Sequence, residues 1–265
     1  LDLDLFHPWT ISAAGAIEIA QRAEASAFAV DPRIRNSDGA SISANQAHSQ
    51  MGTTRGFLNG YAFSRHYISC APIASQGKQV GAPMQRDDWY SSSRVPKDLA
   101  QPEAIGRYAA QRALSRLGAR PIKTQKCPVI FEAPLAVGIL GGFVQAVSGG
   151  SLYRKSSFLL DSIGQQVFPK HLDIAENPHR PRQSGSTPFD DEGVRTSPRQ
   201  VVEAGVVKGY FLSTYTARKL GMQTTGNSGG SHHLTLTSRN TRPADDLAAL
   251  LKEMGTGLLV TELMG

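Results

Sequence analysis

The chain has 265 residues, of which 40% are hydrophobic, and this is enough to bury the core of one large domain or of two ordinary ones. Its 26 glycines and 15 prolines are compatible with many turns, but the composition excludes a low-complexity or disordered protein. The formal net charge of +6 comes from scattered lysines and arginines, so the charge indicates solubility rather than a nucleic-acid surface.

The two cysteines, Cys70 and Cys127, stand alone without a CxxC spacing, and no stretch resembles a secretory signal. We therefore expect a cytoplasmic protein with reduced thiols. The chain starts at Leu1 rather than at methionine and stops at Gly265 directly after an apolar run. This predicts a fragment of a longer protein.

The first half of the chain, residues 1–125, predicts an α/β region with an antiparallel sheet, truncated at its start. Helical spacing of apolar residues predicts two helices, at Thr10–Ser26 and Pro102–Leu117. A Thr or Ser can cap the first helix, and a proline lies in the first turn of the second. Alternating and aromatic-rich runs predict strands at 28–30, 40–44, 60–71 and 84–92, with a turn at 36–39.

The second half, residues 126–265, predicts a β-rich domain truncated at its end, so the fold class is α+β. It begins with a strand at Cys127–Phe131 and an apolar helix at Leu135–Val147, whose lack of a polar face predicts a buried core helix. Because glycine costs about 1 kcal/mol relative to alanine inside a helix, the three glycines between 138 and 142 predict close packing of another backbone. This apolar run would rise only about 22 Å, less than the roughly 30 Å core of a bilayer.

Shorter elements are predicted along the rest of the second half. Periodicity predicts a helical segment at 156–163, a long loop at 169–196, strands at 196–207, 208–214, 232–237 and 257–263, a loop at 224–231, and an amphipathic helix at 244–254. No internal repeat is present at the periods of solenoids or propellers.

No zinc-peptidase motif is present among the seven histidines, since none has a second histidine at i, i+4 with an adjacent glutamate. A metal cluster in one loop stays open as an alternative, because His171 and His179 flank Asp173 and Glu176. His232 and His233 are neighbours on a predicted strand, so their rings face opposite sides and do not readily share one metal ion.

Three further motifs are incomplete. Tyr215 and Lys219 match the spacing of short-chain dehydrogenases, but no glycine-rich dinucleotide turn precedes them. Ser148 lacks the first glycine of a nucleophile elbow, since Ala146 stands there. The loop Thr224–Gly230 lacks the Lys-Ser/Thr ending of a P-loop, so it is either another phosphate-binding nest or a surface loop.

Several stretches, in this order along the chain, resemble the TldD/PmbA family. They are Asn36–Ser41, Met84–Ser91, Ser148–Asp161, Pro188–Val194, Thr214–Gly221, Thr225–Gly230 and Gly257–Gly265. The resemblance covers essentially the whole chain and rests on separate motifs. It implies a fold with an N-terminal α/β region and a C-terminal β-rich, barrel-like domain.

The resemblance implies one subunit of a bacterial, cytoplasmic zinc metallopeptidase complex, either a heterodimer or a higher hetero-oligomer. In the TldD-type subunit a His-Glu-x-x-x-His helix binds zinc, and the corresponding positions here are Gly141, Gly142 and Ala146. These side chains cannot ligate zinc. The resemblance therefore implies the subunit type without catalytic residues, metal ligands or a cofactor of its own, whose TldD-type partner holds the zinc.

The substrates that the resemblance implies are unfolded or extended peptides, including a microcin precursor and an antitoxin. Ser148, Gly149, Arg154 and Lys155 follow the vacant zinc position and are candidates for lining the peptide channel, beside ordinary packing and surface roles.

Other functions stay open from the sequence. They are a gyrase- or DNA-interacting modulator without proteolytic role, an independent peptidase with ligands from the loop of His171 and His179, and a serine hydrolase. The chain alone is also compatible with a homodimer. We expect neither a membrane nor a nucleic acid as partner.

Overall fold

The computed structural model describes residues 1–263; Met264 and Gly265, which end the last family-like stretch, lie outside the described residues. The chain forms two compact units. The first comprises Asp2–Ile122 and the segment Pro181–Ser184, and the second comprises Leu1, Lys123–Arg180 and the chain from Gly185 onward. The segment joins the first unit because it hydrogen-bonds to Leu3 and Arg94.

The first unit is a four-stranded antiparallel sheet with two helices. Its elements are α1 (Ala13–Phe28), β1 (Ile34–Gly52), β2 (Leu58–Ser75), β3 (Met84–Arg86), β4 (Trp89–Ser93) and α2 (Pro102–Ser115). The long strands β1 and β2 form a hairpin, and β3 and β4 pair in succession with the other edge of β2. Burial alternates along much of β2, so the helices cover one face of the sheet. The predicted antiparallel sheet is confirmed.

The two helices of the first unit pack closely at one glycine. A Cβ atom at Gly106 of α2 would lie 1.9 Å from the carbonyl oxygen of Ala23 in α1. Glycine is therefore required there by the approach of the two backbones. The predicted caps are present, since Ser12 accepts a hydrogen bond from Gly15 and Pro102 begins α2.

Two local predictions in this unit are wrong. The turn predicted at 36–39 lies within β1, where the register with β2 shifts twice and Gly39 adopts a φ of 106°. The turn-forming residues therefore produce an irregularity within a continuous strand. The strand predicted at 28–30 is instead the end of α1 and the turn after it.

Up to residue 263, the second unit contains ten helices and strands. They are β5 (Val129–Phe131), α3 (Ala133–Ala146), α4 (Gly149–Tyr153), β6 (Leu172–Glu176), β7 (Arg199–Glu203), β8 (Val206–Val207), α5 (Thr214–Lys219), β9 (Leu234–Ser238), α6 (Leu247–Met254) and β10 (Leu258–Val260). Four strands form an antiparallel sheet in the order β8-β7-β6-β9, and β5 pairs in parallel with β10. In the part of the chain that the structure describes these strands form no closed barrel, so the barrel-like domain is not confirmed.

The core of the second unit lies between β6, β7, the end of α3, Leu152 of α4 and the segment Tyr210–Leu212. From α3 only Phe143 and Ala146 are buried. Side chains of its middle turns lie at the surface, with Val137 68% exposed and Ile139 53% exposed. The prediction that this helix is buried is therefore not confirmed.

The glycines of α3 do not mark a close backbone approach. A Cβ atom added at Gly138, Gly141 or Gly142 would meet no atom within 4 Å. The expected packing of a second backbone on this face is wrong for the described residues.

Three other predicted elements differ in the second unit. Residues 156–163 form turns rather than a helix, the loop predicted at 169–196 contains β6, and 208–214 is irregular except for a bridge at Phe211 and the start of α5. None of the helices within residues 1–263 is long and apolar enough to cross a membrane.

Candidate functional site

The positions predicted to correspond to the zinc helix of the TldD-type subunit lie in the last two turns of α3. Gly141 and Gly142 are exposed, whereas Ala146 is 7% exposed and belongs to the core. Hydrogen atoms and a methyl group offer no lone pair to a metal ion. This part of α3 therefore presents surface and packing atoms, and no ligand.

The proposed channel residues begin directly after α3. Ser148 caps α4 by accepting a hydrogen bond from Ser151 N–H. Gly149 is buried, and a Cβ atom there would lie 2.2 Å from Thr216 Oγ1. Arg154 and Lys155 are exposed, and Lys155 adopts a φ of 53°. The structure thus places two of these residues at a helix N-terminus and two at the surface, and their role in a channel stays a prediction.

An apolar groove runs along α3, with a cavity volume of about 390 Å³. It is lined by apolar side chains of α3 together with Phe168 and two leucines of β9, Leu234 and Leu236. The two leucines share one face of β9 because side chains alternate along a strand. Among the described strands, β9 pairs only with β6, so its other edge has no partner strand in that part of the chain.

A buried ionic cluster, the Glu176 cluster, lies at the end of β6, where Glu176 pairs with Leu234 of β9. Glu176 is 2% exposed, and its carboxylate accepts hydrogen bonds from Arg199 Nε at 2.7 Å, from Asn227 Nδ2 at 2.9 Å and from His232 N–H at 2.7 Å. Arg199 also donates to the carbonyl of Tyr210 and to Asn227 Oδ1, and its guanidinium lies over the ring of Phe211. The charges neutralise each other in a site that water hardly reaches.

Two family-like loops are fixed next to the Glu176 cluster. Asp190 accepts hydrogen bonds from the N–H groups of Glu192, Val194 and Ser228, each at 2.9 Å. Glu192 in turn accepts from Thr214 N–H at 2.6 Å, at the first turn of α5, where a negative charge is favourable. The loop at 224–231 is therefore held by hydrogen bonds and is not a simple surface loop, since Gly226 and Asn227 are buried.

His179 and Asp173, two residues of the proposed alternative metal site, take part in other contacts. Because Thr196 Oγ1 donates to the Thr187 carbonyl at 2.6 Å, His179 Nε2 donates to Thr196 Oγ1 at 3.0 Å. Asp173 binds the N–H of Ala204 and the guanidinium of Arg239. No group of three or more His, Cys, Asp or Glu side chains within residues 1–263 is placed to hold a metal ion.

Burial lowers the pKa of two histidines in this unit. For His179, loss of solvation is the largest cause and the nearby charge of Arg195 adds to it. For His233, burial acts together with Arg180. Both effects disfavour the imidazolium, so these rings favour the neutral form.

The sequence analysis named Glu176 as a possible metal ligand, but it missed the ion pair of Glu176 with Arg199 and the hydrogen bond from Asn227. Glu176 meets Arg199, 23 residues away, and Asn227, 51 residues away, so no local pattern joins them. The only available signal was that Pro188–Val194 and Thr225–Gly230 stood out as family-like stretches. The structure shows that both stretches lie around this cluster.

Comparison with known families finds two domains in the chain. Residues 6–117 match the "PmbA/TldA metallopeptidase central domain", and residues 124–265 match the "PmbA/TldA metallopeptidase C-terminal domain". Together these matches cover most of the sequence.

Proteins with similar sequences bear the name metalloprotease PmbA. The chain is 45% identical over 264 residues to metalloprotease PmbA of Escherichia coli O157:H7, and 43% identical over 264 residues to a PmbA homologue of Haemophilus influenzae. Each match covers 100% of this chain and 57% of the relative. The chain thus spans a little more than half the length of these relatives.

Solved structures with the same fold include two proteins described as candidate modulators of DNA gyrase. The one from Bacteroides thetaiotaomicron has a TM-score of 0.89 at 26% identity, covering 100% of this chain and 59% of that protein. The one from Thermotoga maritima has a TM-score of 0.85 at 28% identity, covering 100% and 60%. TldE from Thermococcus kodakarensis shares the fold, with a TM-score of 0.77 at 21% identity and coverage of 98% and 62%.

Proposed function

Because the chain belongs to the PmbA/TldA metallopeptidase family, we propose that it is the PmbA/TldE-type subunit of a zinc metallopeptidase complex. In this proposal a TldD-type subunit holds the zinc ion and this chain contributes no ligand to it. The complex cleaves unfolded or extended peptides in the cytoplasm, and a microcin precursor and an antitoxin are the substrates we expect.

The observation that carries the proposal is the chemistry of α3. At Gly141, Gly142 and Ala146 the chain offers two hydrogen atoms and a methyl group, whereas zinc takes thiolate, imidazole or carboxylate ligands. The residues present therefore do not fit a zinc ion at this position. In the proposed complex, the zinc ligands therefore come from the TldD-type subunit.

The apolar groove supports a role in holding the peptide. An extended peptide added to the open edge of β9 would satisfy its backbone groups by strand pairing. Its alternate side chains would then face Leu234 and Leu236, which lie along the groove. Apolar side chains of an unfolded chain match such a lining, because burying them removes apolar surface from water.

Zinc analysis and peptide cleavage test the proposal. The purified chain is measured alone and after mixing with a TldD-type subunit, using an unfolded casein-like substrate. We expect cleavage only in the mixture and no stoichiometric zinc in this chain. Stoichiometric zinc or cleavage by the chain alone would contradict the proposal.

Peptide binding through the apolar groove has its own test. Leu236, which is 48% exposed, is replaced by lysine, and Leu58→Lys on β2 is the matched control because Leu58 is 83% exposed in the first unit. We expect Leu236→Lys to weaken binding of an apolar extended peptide by roughly tenfold, since a charge then faces the groove. Equal binding by the two variants would exclude the groove as the peptide site.

Two alternative functions predict different experimental results. An independent peptidase using His171 and His179 requires that their replacement abolish cleavage, although His179 is engaged with Thr196. A DNA-binding modulator predicts DNA affinity that falls steeply with salt. Our proposal predicts neither effect.

A further inference from the structure

The first unit contains a polar pocket that the peptidase proposal does not use. Its volume is about 270 Å³, and its lining includes Arg65, Ser92, Arg94, Asp98 and Arg182. We call it the arginine pocket. Three guanidinium groups at one cavity give it a positive wall, which makes an anion the expected type of ligand.

Arg94 is the buried cation of the arginine pocket. It is 8% exposed, and its guanidinium donates to the carbonyl oxygens of Ser64, Gln183 and Ser184 at 3.2, 3.0 and 3.0 Å. Guanidinium has five N–H groups, so these three bonds leave two for a ligand. No described carboxylate lies within ion-pair distance of Arg94, and a buried charge without a counter-ion is costly.

The neighbouring charges do not neutralise Arg94. Arg65 points its Nε to Ser92 Oγ at 3.2 Å and forms no ion pair among the described residues. Arg182 pairs with Asp4, and the exposed Asp98 is the only carboxylate among the described residues that line the pocket. Burial, followed by the charge of Arg65, lowers the pKa of Arg94, in agreement with an excess of positive charge.

We infer that the arginine pocket binds a carboxylate group, held by Arg65 and by the remaining N–H groups of Arg94. Arginine presents a planar pair of donors that fits the two oxygens of a carboxylate. The negative charges of Asp4 and Asp98 balance two of the three arginine charges, so the pocket keeps a net charge of one positive. This balance favours a singly charged carboxylate over a doubly charged phosphate.

The size of the arginine pocket agrees with a small group. Its volume is below the roughly 300–1,000 Å³ of sites for whole drug-sized ligands. It therefore suits a terminal fragment, such as the last residue of a peptide, or a small carboxylic acid. The two sources share the same recognition chemistry.

Side-chain Nε–Hε signals of the arginines, followed by NMR in the full chain, test the inference. The probes are acetyl-tetra-alanine with a free C-terminal carboxylate, the same peptide as a C-terminal amide, acetate and inorganic phosphate. We expect the carboxylate peptide or acetate to shift the signals of Arg65 and Arg94, with the amide at least roughly tenfold weaker. Binding of the free-acid peptide identifies a peptide terminus as the source, and binding of acetate alone identifies a small acid.

Arg65→Gln is the test variant, because Arg65 is exposed and its loss does not remove a buried contact. Arg55→Gln, in the exposed turn between β1 and β2, removes the same charge elsewhere. We expect Arg65→Gln to weaken carboxylate binding roughly tenfold and Arg55→Gln to leave it unchanged. Equal binding of acid and amide, equal behaviour of the two variants, or tighter binding of phosphate than of acetate would overturn the inference. These measurements need no partner subunit, so their failure is distinct from failure of the peptidase proposal.

Discussion

Replacement of Glu176 by glutamine should strongly destabilise the second unit. Glutamine is nearly isosteric, and its oxygen can still accept from Asn227 and from the N–H of His232. Its amide nitrogen then faces Arg199 Nε–H, donor against donor, and the guanidinium loses its buried counter-ion. Loss of one partner of a buried ion pair typically costs about 3–5 kcal/mol.

The structure favours the lower end of this range. The side chain of Arg199 is 17% exposed and its guanidinium lies 4.8 Å from the centroid of the Phe211 ring, so water and the ring offset part of the lost interaction. We therefore expect a loss of about 3 kcal/mol, or roughly a hundredfold decrease in amide protection. Hydrogen exchange followed by mass spectrometry on peptides from β6 and β7 measures this loss of protection in the second unit alone.

Glu203→Gln is the control for this measurement. Glu203 also pairs with a cation, Lys208 at 3.1 Å, but the two side chains are 56% and 44% exposed. An exposed pair of this kind contributes about 0–1 kcal/mol. If Glu176→Gln reduced amide protection no more than Glu203→Gln, the Glu176 cluster would not be the stabilising centre that its burial indicates.

Two further predictions concern the second unit. Gly142→Ala should stabilise this unit by about 0.5–1 kcal/mol, because the added methyl group lies on a helix and meets open space. Gly149→Ala should instead destabilise it by about 1–3 kcal/mol, because the added methyl group would clash with Thr216. Urea unfolding followed by far-UV circular dichroism compares the two variants, and equal effects on the free energy of unfolding would contradict the packing argument. Because burial lowers the pKa of His179 and His233 below 6.5, the unfolded chain binds more protons, so stability is complete above pH 6.5 and falls as the pH drops below it. The same unfolding assay at pH 7.5 and 5.0 should show that the free energy of unfolding falls less for the double variant His179→Gln, His233→Gln than for the unaltered chain. An equal fall in both proteins would refute the assignment of this pH dependence to the two histidines.

The sequence was most informative where a local signal and the fold agree. Helix α2 is an example, because Pro102 begins it and Gly118, with a φ of 75°, follows it in the left-handed conformation expected after a helix end. The turn predicted at 36–39 failed because pairing with β2 extends on both sides of it. Cross-strand hydrogen bonds there override the local preference for a turn.

The surroundings of α3 could not be predicted from its composition. An apolar helix looks the same in sequence whether its neighbours belong to the same unit or to another molecule. Its span was nearly correct, since the predicted Leu135–Val147 is Ala133–Ala146 in the structure. The exposure of Val137 and Ile139 depends on which elements pack against the helix, and that information lies outside the helix.

The family-like stretches of the second unit explain its architecture rather than its chemistry. The carboxylates of Glu176, Asp190 and Glu192 all accept hydrogen bonds from N–H groups or a guanidinium that fix loops and helix ends. A catalytic carboxylate needs a lone pair directed at substrate, a metal ion or water, and engagement of this kind leaves these groups as structural supports. A chain can therefore keep every such stretch, and with it the fold, without zinc ligands in α3, as we propose for this chain. The proposed lack of zinc ligands therefore rests on the residues of α3, whereas the two domain matches establish the family.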